Sequence, residues 1–169
     1  MPRIRNERPG DEAAIHAVVS QAFGRTAEAD LLKSLRGNGR AVVSLVVDEE
    51  GQVLGQVVFS PVVIEADAGE HAALGLAPLA VLPAFQRLGI GSALVSAGLA
   101  RCRDLGHTRV VVLGDPAYYA RFGFSPAADF GIRYPSDVPR EAFMALELVP
   151  GALDGCAGVA RYSPEFDNL

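Results

Sequence analysis

The chain has 169 residues; half are hydrophobic and 21% are charged. That apolar content supports a continuous core and excludes a wholly disordered chain, and the length fits a single domain over residues 1–169. With 15 Lys and Arg against 20 Asp and Glu, the net charge of −5 speaks against a broadly basic nucleic-acid-binding surface. Two cysteines, Cys102 and Cys156, cannot build a disulfide-dense framework, and three scattered histidines do not resemble a metal cluster. The run Met1–Arg8 is too polar for a signal peptide, and no apolar run reaches the ~20 residues that cross a bilayer. The composition therefore predicts a cytoplasmic protein without membrane or metal, with Cys102 as a small core hydrophobe.

Residues 3–7 can open the chain as a short strand. Pro9, Gly10 and Asp11 announce a helix in which Ala14, Ile15, Val18, Val19, Ala22 and Phe23 draw one apolar stripe, and Gly24 stops it. Thr26 can cap a second helix with Glu28 and Asp30 in its first turn. Leu31, Leu32 and Leu35 form its buried side, and Gly37-Asn38-Gly39 ends it. Ala41–Val47, Gln52–Ile64 and His71–Leu82 then read as an antiparallel meander. The second strand is expected to bend near Ser60-Pro61, because proline cannot donate to a ladder.

Pro83–Gly91 reads as a loop and Ile90 to about Leu105 as a helix, with Leu94, Val95, Gly98, Leu99, Cys102 and Leu105 on one face. Val110–Leu113 is a compact strand, and Pro116–Arg121 fits a short helix after which Gly123 can turn left-handed. Ala142–Leu148 and Gly158–Tyr162 are later strands.

The most informative stretch is Gln86-Arg87-Leu88-Gly89-Ile90-Gly91-Ser92, between a strand and an amphipathic helix. Amides at a helix start lack intrahelical acceptors and sit at the positive end of the helix dipole. Two glycines let a phosphate approach the backbone, and Arg87 can add a cation at the rim, so a pyrophosphate is one guest that fits. A tight turn alone accounts for the glycines equally well. A P-loop is excluded because Gly91-Ser92-Ala93 lacks the lysine, and a dinucleotide fingerprint because a third glycine is missing.

Gln86-x-x-Gly89-x-Gly91 resembles the Gln/Arg-x-x-Gly-x-Gly/Ala signature of the GNAT superfamily of N-acetyltransferases. Leu79-Ala80-Val81-Leu82-Pro83 is similar to that family's central strand entering its pyrophosphate loop. Tyr118-Tyr119-Ala120-Arg121-Phe122-Gly123-Phe124 resembles its Leu-Tyr-Glu-Lys-Leu-Gly-Phe segment. The resemblance covers residues 3–126 and leaves 127–169 as C-terminal strands and substrate-side loops. It implies an α/β (α+β) fold. The mixed, mostly antiparallel sheet would have about six or seven strands, splayed between strands 4 and 5 and flanked by about four helices.

The resemblance further implies that acetyl-CoA is the co-substrate and lies in the opening between those two strands. Leu79, Ala80 and Val81 would pair with its pantetheine arm, and the Leu79 N–H would stabilise the oxyanion. Arg87, Leu88, Gly89, Ile90, Gly91 and Ser92 would meet the pyrophosphate, Tyr119 would stand beside the departing sulfur, and Arg121 could reach a phosphate. Many family members carry a base on the fourth strand, but Ala77 and Gly75 occupy those positions here. Glu28, His71 and Asp115 are the substitutes by chain position, with Glu28 and Asp115 as acceptor-side residues; a solvated charge or a helix cap is the competing account of each. The expected acceptor is a small-molecule or peptide amine, chosen by the second helix and residues 125–142; dimers are common in the family. A non-catalytic acyl-CoA-binding module on the same fold is the alternative function, motivated by the missing strand carboxylate.

Overall fold

The computed structural model describes residues 2–169. The chain divides into two compact units, residues 1–60, 77–101 and 164–169 in one, and 61–76 and 102–163 in the other. Among the described residues nine strands share one hydrogen-bonded sheet, in the order Arg3–Asn6, Val43–Glu49, Gln52–Ala66, Gly69–Val81, Arg109–Leu113, Phe143–Glu147 and Ser125–Pro126, with Gly158–Tyr162 pairing Gln52–Ala66 and Ile132–Arg133.

The first unit holds β1 (Arg3–Asn6), α1 (Glu12–Phe23), α2 (Ala27–Gly37) and β2 (Val43–Glu49). It also holds the start of β3 (Gln52–Ala66), the end of β4 (Gly69–Val81) and most of α3 (Ile90–Asp104). β1 and β3 flank β2 in antiparallel register. Ile15, Val18 and Val19 of α1 and Leu31, Leu32 and Leu35 of α2 form one core with Val46, Val53, Val58 and Ala80 of the strands. Of the apolar stripe read from α1, Ile15, Val18 and Val19 are buried and Ala22 packs beside them, whereas Ala14 and Phe23 are exposed, as is Leu105 just beyond α3. Gly24 ends α1 at φ +69, with its N–H donating to Ser20 O.

The polar residues ahead of the two helices do not cap them through their side chains. Thr26 makes no side-chain cap hydrogen bond. Asp11 does not cap α1 either; its carboxylate takes two bonds from Arg5, at 2.8 and 3.1 Å, and one from the Arg8 N–H. Arg5 also donates to Asp48 of β2 at 2.9 Å, so one guanidinium ties the entry of α1 to the edge of the sheet.

The second unit holds the remainder of β3 and β4 with β5 (Arg109–Leu113), α4 (Pro116–Ala120), β6 (Ser125–Pro126), β7 (Ile132–Arg133), β8 (Phe143–Glu147) and β9 (Gly158–Tyr162). Its core gathers Val62, Ile64, Val111, Ala127, Ile132, Phe143, Ala145, Leu153 and Ala160. Both cysteines are buried as free thiols, and burial pushes Cys102 up to about 12, the behaviour of a core hydrophobe. β4 and β5 run parallel through only Leu74↔Val110 and Gly75↔Val111, while β4 continues to Val81.

β3 passes through Pro61 without interruption. Its pairing with β2 ends at Phe59 and its pairing with β9 begins at Val62. The missing proline N–H therefore falls where the strand changes partner, and no ladder bond is lost. Two-residue strands β6 and β7 raise the strand number to nine, above the six or seven expected.

Candidate active site

The glycine loop lies wholly in the first unit, between the end of β4 and α3. Leu82 leads into a 3-10 turn at Pro83–Phe85. Gln86 then closes the loop onto the strand, its Nε2 donating to Val81 O at 3.0 Å. The motif glutamine thus ties the turn back to the strand. Arg87 has φ +64 and Gly89 φ +85, so the chain turns twice through the left-handed region before the helix. A side chain there costs roughly 1–2 kcal/mol; Gly89 avoids that cost and Arg87 bears it. No heavy atom lies within 4 Å of where a Gly89 Cβ would stand, which leaves that side of the turn open.

The Ala93 N–H is bonded to Gly89 O at 3.0 Å. The amides of Ile90 and Gly91 precede it at the positive end of a helix running to Asp104. Arg87 and Leu88 are exposed, Ile90, Gly91 and Ser92 half-buried. Leu79 and Val81 are half-buried at the end of β4, and Ala80 belongs to the core. The structure therefore brings 79–81 and 86–92 together through one glutamine.

Two further glycines set the depth of α3 against the sheet. A Cβ on Gly55 of β3 would stand 3.0 Å from Leu94 and 3.2 Å from Ile90. A Cβ on Gly98 would stand 2.3 Å from Phe59 Cε1. Sequence patterning put Gly98 on the apolar face of the helix without assigning it a function. Its partner Phe59 lies far back in the chain, so only the fold exposes the pair.

Glu28, also in the first unit, is only 6% exposed. Both its oxygens are taken by Arg25, Oε1 at 2.9 Å and Oε2 closer still, and the guanidinium holds its carboxyl below the usual carboxylate range. A carboxylate so held is a poor proton acceptor.

Tyr119, Asp115 and Arg121 belong to the second unit, at or beside α4. Asp115 is the helix cap that competed with a base role: its Oδ1 accepts from the Ala117 N–H at 3.0 Å. Arg121 lies over the Tyr118 ring at 4.5 Å and donates to Tyr118 O. His71 stands near the start of β4, its Nε2 buried without a hydrogen-bond partner among the described residues.

Tyr119 is 9% exposed and wedged against Gly114, whose Cβ would stand 2.5 Å from the ring. Phe124 meets it edge-on at 5.8 Å and Tyr118 at 5.0 Å. Its hydroxyl makes no hydrogen bond with the described residues. Burial, reinforced by Tyr118 and Asp115, pushes the phenol up to about 12. Tyr119 therefore stays a neutral hydrogen-bond donor throughout the physiological range.

Residues 11–124 match the model of the Acetyltransferase (GNAT) family. The chain belongs to that family. The N-acetyltransferase YhbS of Escherichia coli K12, described as uncharacterized, is 39% identical over 167 residues, 98% of this chain and 99% of that protein. The crystal structure of E. coli YhbS in complex with CoA has a TM-score of 0.91 at 38% identity, covering 98% of this chain and 92% of that one. A Brucella melitensis GNAT acetyltransferase in complex with acetyl-CoA gives 0.83 at 37%, covering 99% of both chains. The expected fold is thereby established, with its four helices and its short parallel contact between β4 and β5, and this GNAT chain is an N-acetyltransferase by family.

Proposed function

We propose that this protein transfers an acetyl group from acetyl-CoA to a primary amine by direct attack within a ternary complex. The observation that carries it is the turn at Gln86–Ser92, with left-handed Arg87 and Gly89 ahead of a helix start. Open amides at such a point suit a pyrophosphate. The relatives in complex with CoA and acetyl-CoA align over nearly the whole chain and support this assignment.

In the reaction the amine nitrogen attacks the thioester carbon, forming C–N and developing an oxyanion that the Leu79 N–H stabilises. Collapse breaks C–S. The extra proton of the amine passes to the thiolate, directly or through water, and coenzyme A departs as the thiol. Tyr119 donates a hydrogen bond to the sulfur as charge builds there. Full proton transfer from it is disfavoured, because a phenol near 12 faces a thiol of about 8.5. Ala77 and Gly75 supply no base, and Glu28 and Asp115 are engaged elsewhere, which leaves His71, its Nε2 without a partner among the described residues, or an acceptor that arrives neutral. The two buried free thiols suit a reducing cytoplasm.

Calorimetry with acetyl-CoA, followed by thiol release with a panel of amines, tests the proposal. Saturable binding with acetylation of one acceptor class is expected, and absence of binding at millimolar ligand overturns it. Binding without transfer to any amine favours the non-catalytic module, the reading that the missing strand base supports.

Arg87→Gly separates the two contributions of that residue. Glycine removes the left-handed penalty at a smaller entropic cost, so the melting temperature should rise by the equivalent of about 0.5–1 kcal/mol. Loss of the guanidinium should at the same time weaken acetyl-CoA several-fold. An unchanged affinity would remove Arg87 from the phosphate site.

A further inference from the structure

The second unit contains a cavity of about 250 Å³ formed by residues 128–143. Its body is apolar and aromatic, from Ile132, Phe143 and Tyr134. Ile132 and Phe143 are buried, and the Tyr134 ring meets Phe143 edge-on at 5.2 Å. Arg133, Asp137 and Arg140 stand at the rim. Arg140 is already paired with Asp129 at 3.0 Å. The Arg133 side chain makes no ion pair or hydrogen bond with the described residues.

Arg133 is also firmly based. It lies on β7, whose backbone pairs with β9 through Ile132↔Gly158 and Arg133↔Val159. On its other side β9 lies close against β3, where a Cβ on Gly158 would stand 2.0 Å from Glu65 O. Ile132 turns into the core, so the alternation of the strand sends Arg133 outward. A guanidinium without a partner among the described residues, on a strand paired with β9 and at the rim of an aromatic cavity, is suited to a ligand with a carboxylate and an apolar body.

The cavity floor adjoins the element that carries Tyr119. Phe143 pairs with Leu113 in the β5–β8 ladder, and the Gly114 N–H bonds Ala142 O at 2.9 Å. Gly114 in turn packs on the Tyr119 ring. Volume limits the guest, because about 250 Å³ falls below the ~300–1,000 Å³ of drug-sized sites. A body of about amino-acid size suits that volume.

We infer that this cavity holds the acceptor, an aromatic or bulky apolar amine bearing a free carboxylate, with Arg133 as the residue that reads the carboxylate. The inference rests on the acetyl-transfer reading for its function but not for its test. L-phenylalanine, L-phenylalaninamide and phenethylamine are titrated into wild type and Arg133→Met with coenzyme A present, binding being followed by calorimetry. The same compounds are then assayed for thiol release from acetyl-CoA.

Phenylalanine should bind wild type at least tenfold more tightly than either carboxylate-free analogue. Arg133→Met should abolish that preference and raise the phenylalanine KM about tenfold, while leaving acetyl-CoA affinity and melting temperature unchanged. Arg133→Lys should recover part of it, since a lysine keeps the charge without the planar fork. Equal binding of the acid and its amide, no binding of phenylalanine, or an unmoved preference in Arg133→Met would each overturn the inference, whether or not other amines are acetylated. Carboxylate-dependent binding without any transfer would sustain the cavity assignment and count against the acetyl-transfer reading alone.

Discussion

Tyr119→Phe is expected to lower kcat about 10²–10³-fold while leaving acetyl-CoA affinity within a factor of two, by analogy with removal of one preorganised donor from a developing charge. The ring itself should stay in place. It is held by Gly114, Phe124 and Tyr118, and phenylalanine preserves every one of those contacts. The hydroxyl has no partner among the described residues to lose, so the variant should melt with wild type.

The pH profile distinguishes a hydrogen-bond donor from a titrating acid. Tyr119 is pushed up to about 12, so it remains a phenol from pH 6 to 10 and contributes no alkaline limb there. Wild-type kcat/KM should rise with pH until the acceptor amine is neutral, and the variant should show the same rise at a lower level. No carboxylate inflection at acid pH is expected from Glu28, whose folded pKa lies below its ordinary value; it stays ionised where an assay can be run. A profile that changes shape in Tyr119→Phe would identify Tyr119 as a titrating group, and unchanged turnover would remove it from the reaction.

The backbone of the candidate site was legible in the sequence where its conformation depends on near neighbours. The glycine loop, the left-handed stop at Gly24 and the turn at Gly123, with φ +97, each depend on neighbours within a few residues. Features that depend on distant partners were not legible. β6 forms because Ser125 and Pro126 find Ala145 and Met144, and β7 because Ile132 finds Gly158. Two residues of either strand carry no periodicity. Pro61 reads locally as a break and is tolerated only because β9 takes over from β2 at that point. The fate of Glu28 lay between the two cases. Arg25 stands three residues before it, a spacing that brings side chains together, but an acid in a first helical turn also has a dipole reason to be there.

Gly98→Ala is expected to destabilise the first unit and to weaken acetyl-CoA, although the substitution lies outside the loop. Two effects oppose one another. Alanine is favoured over glycine within a helix by about 0.8–1 kcal/mol. Against this, the added methyl would stand 2.3 Å from Cε1 and 2.8 Å from Cζ of Phe59, a ring with no exposure at all. Overpacking of that kind costs about 1–3 kcal/mol, and the buried ring has little room to yield. The clash should win by roughly 1–2 kcal/mol. Relief requires α3 to lift from β3, and α3 carries Ile90 and Gly91 at its start. A several-fold rise in the acetyl-CoA Kd should therefore accompany the fall in melting temperature. Phe59→Leu alone leaves a cavity and destabilises, but combined with Gly98→Ala it should restore part of both losses, giving a favourable coupling energy of 0.5 kcal/mol or more. Additive losses in the double variant would show that the ring and the helix glycine do not set the height of the loop together.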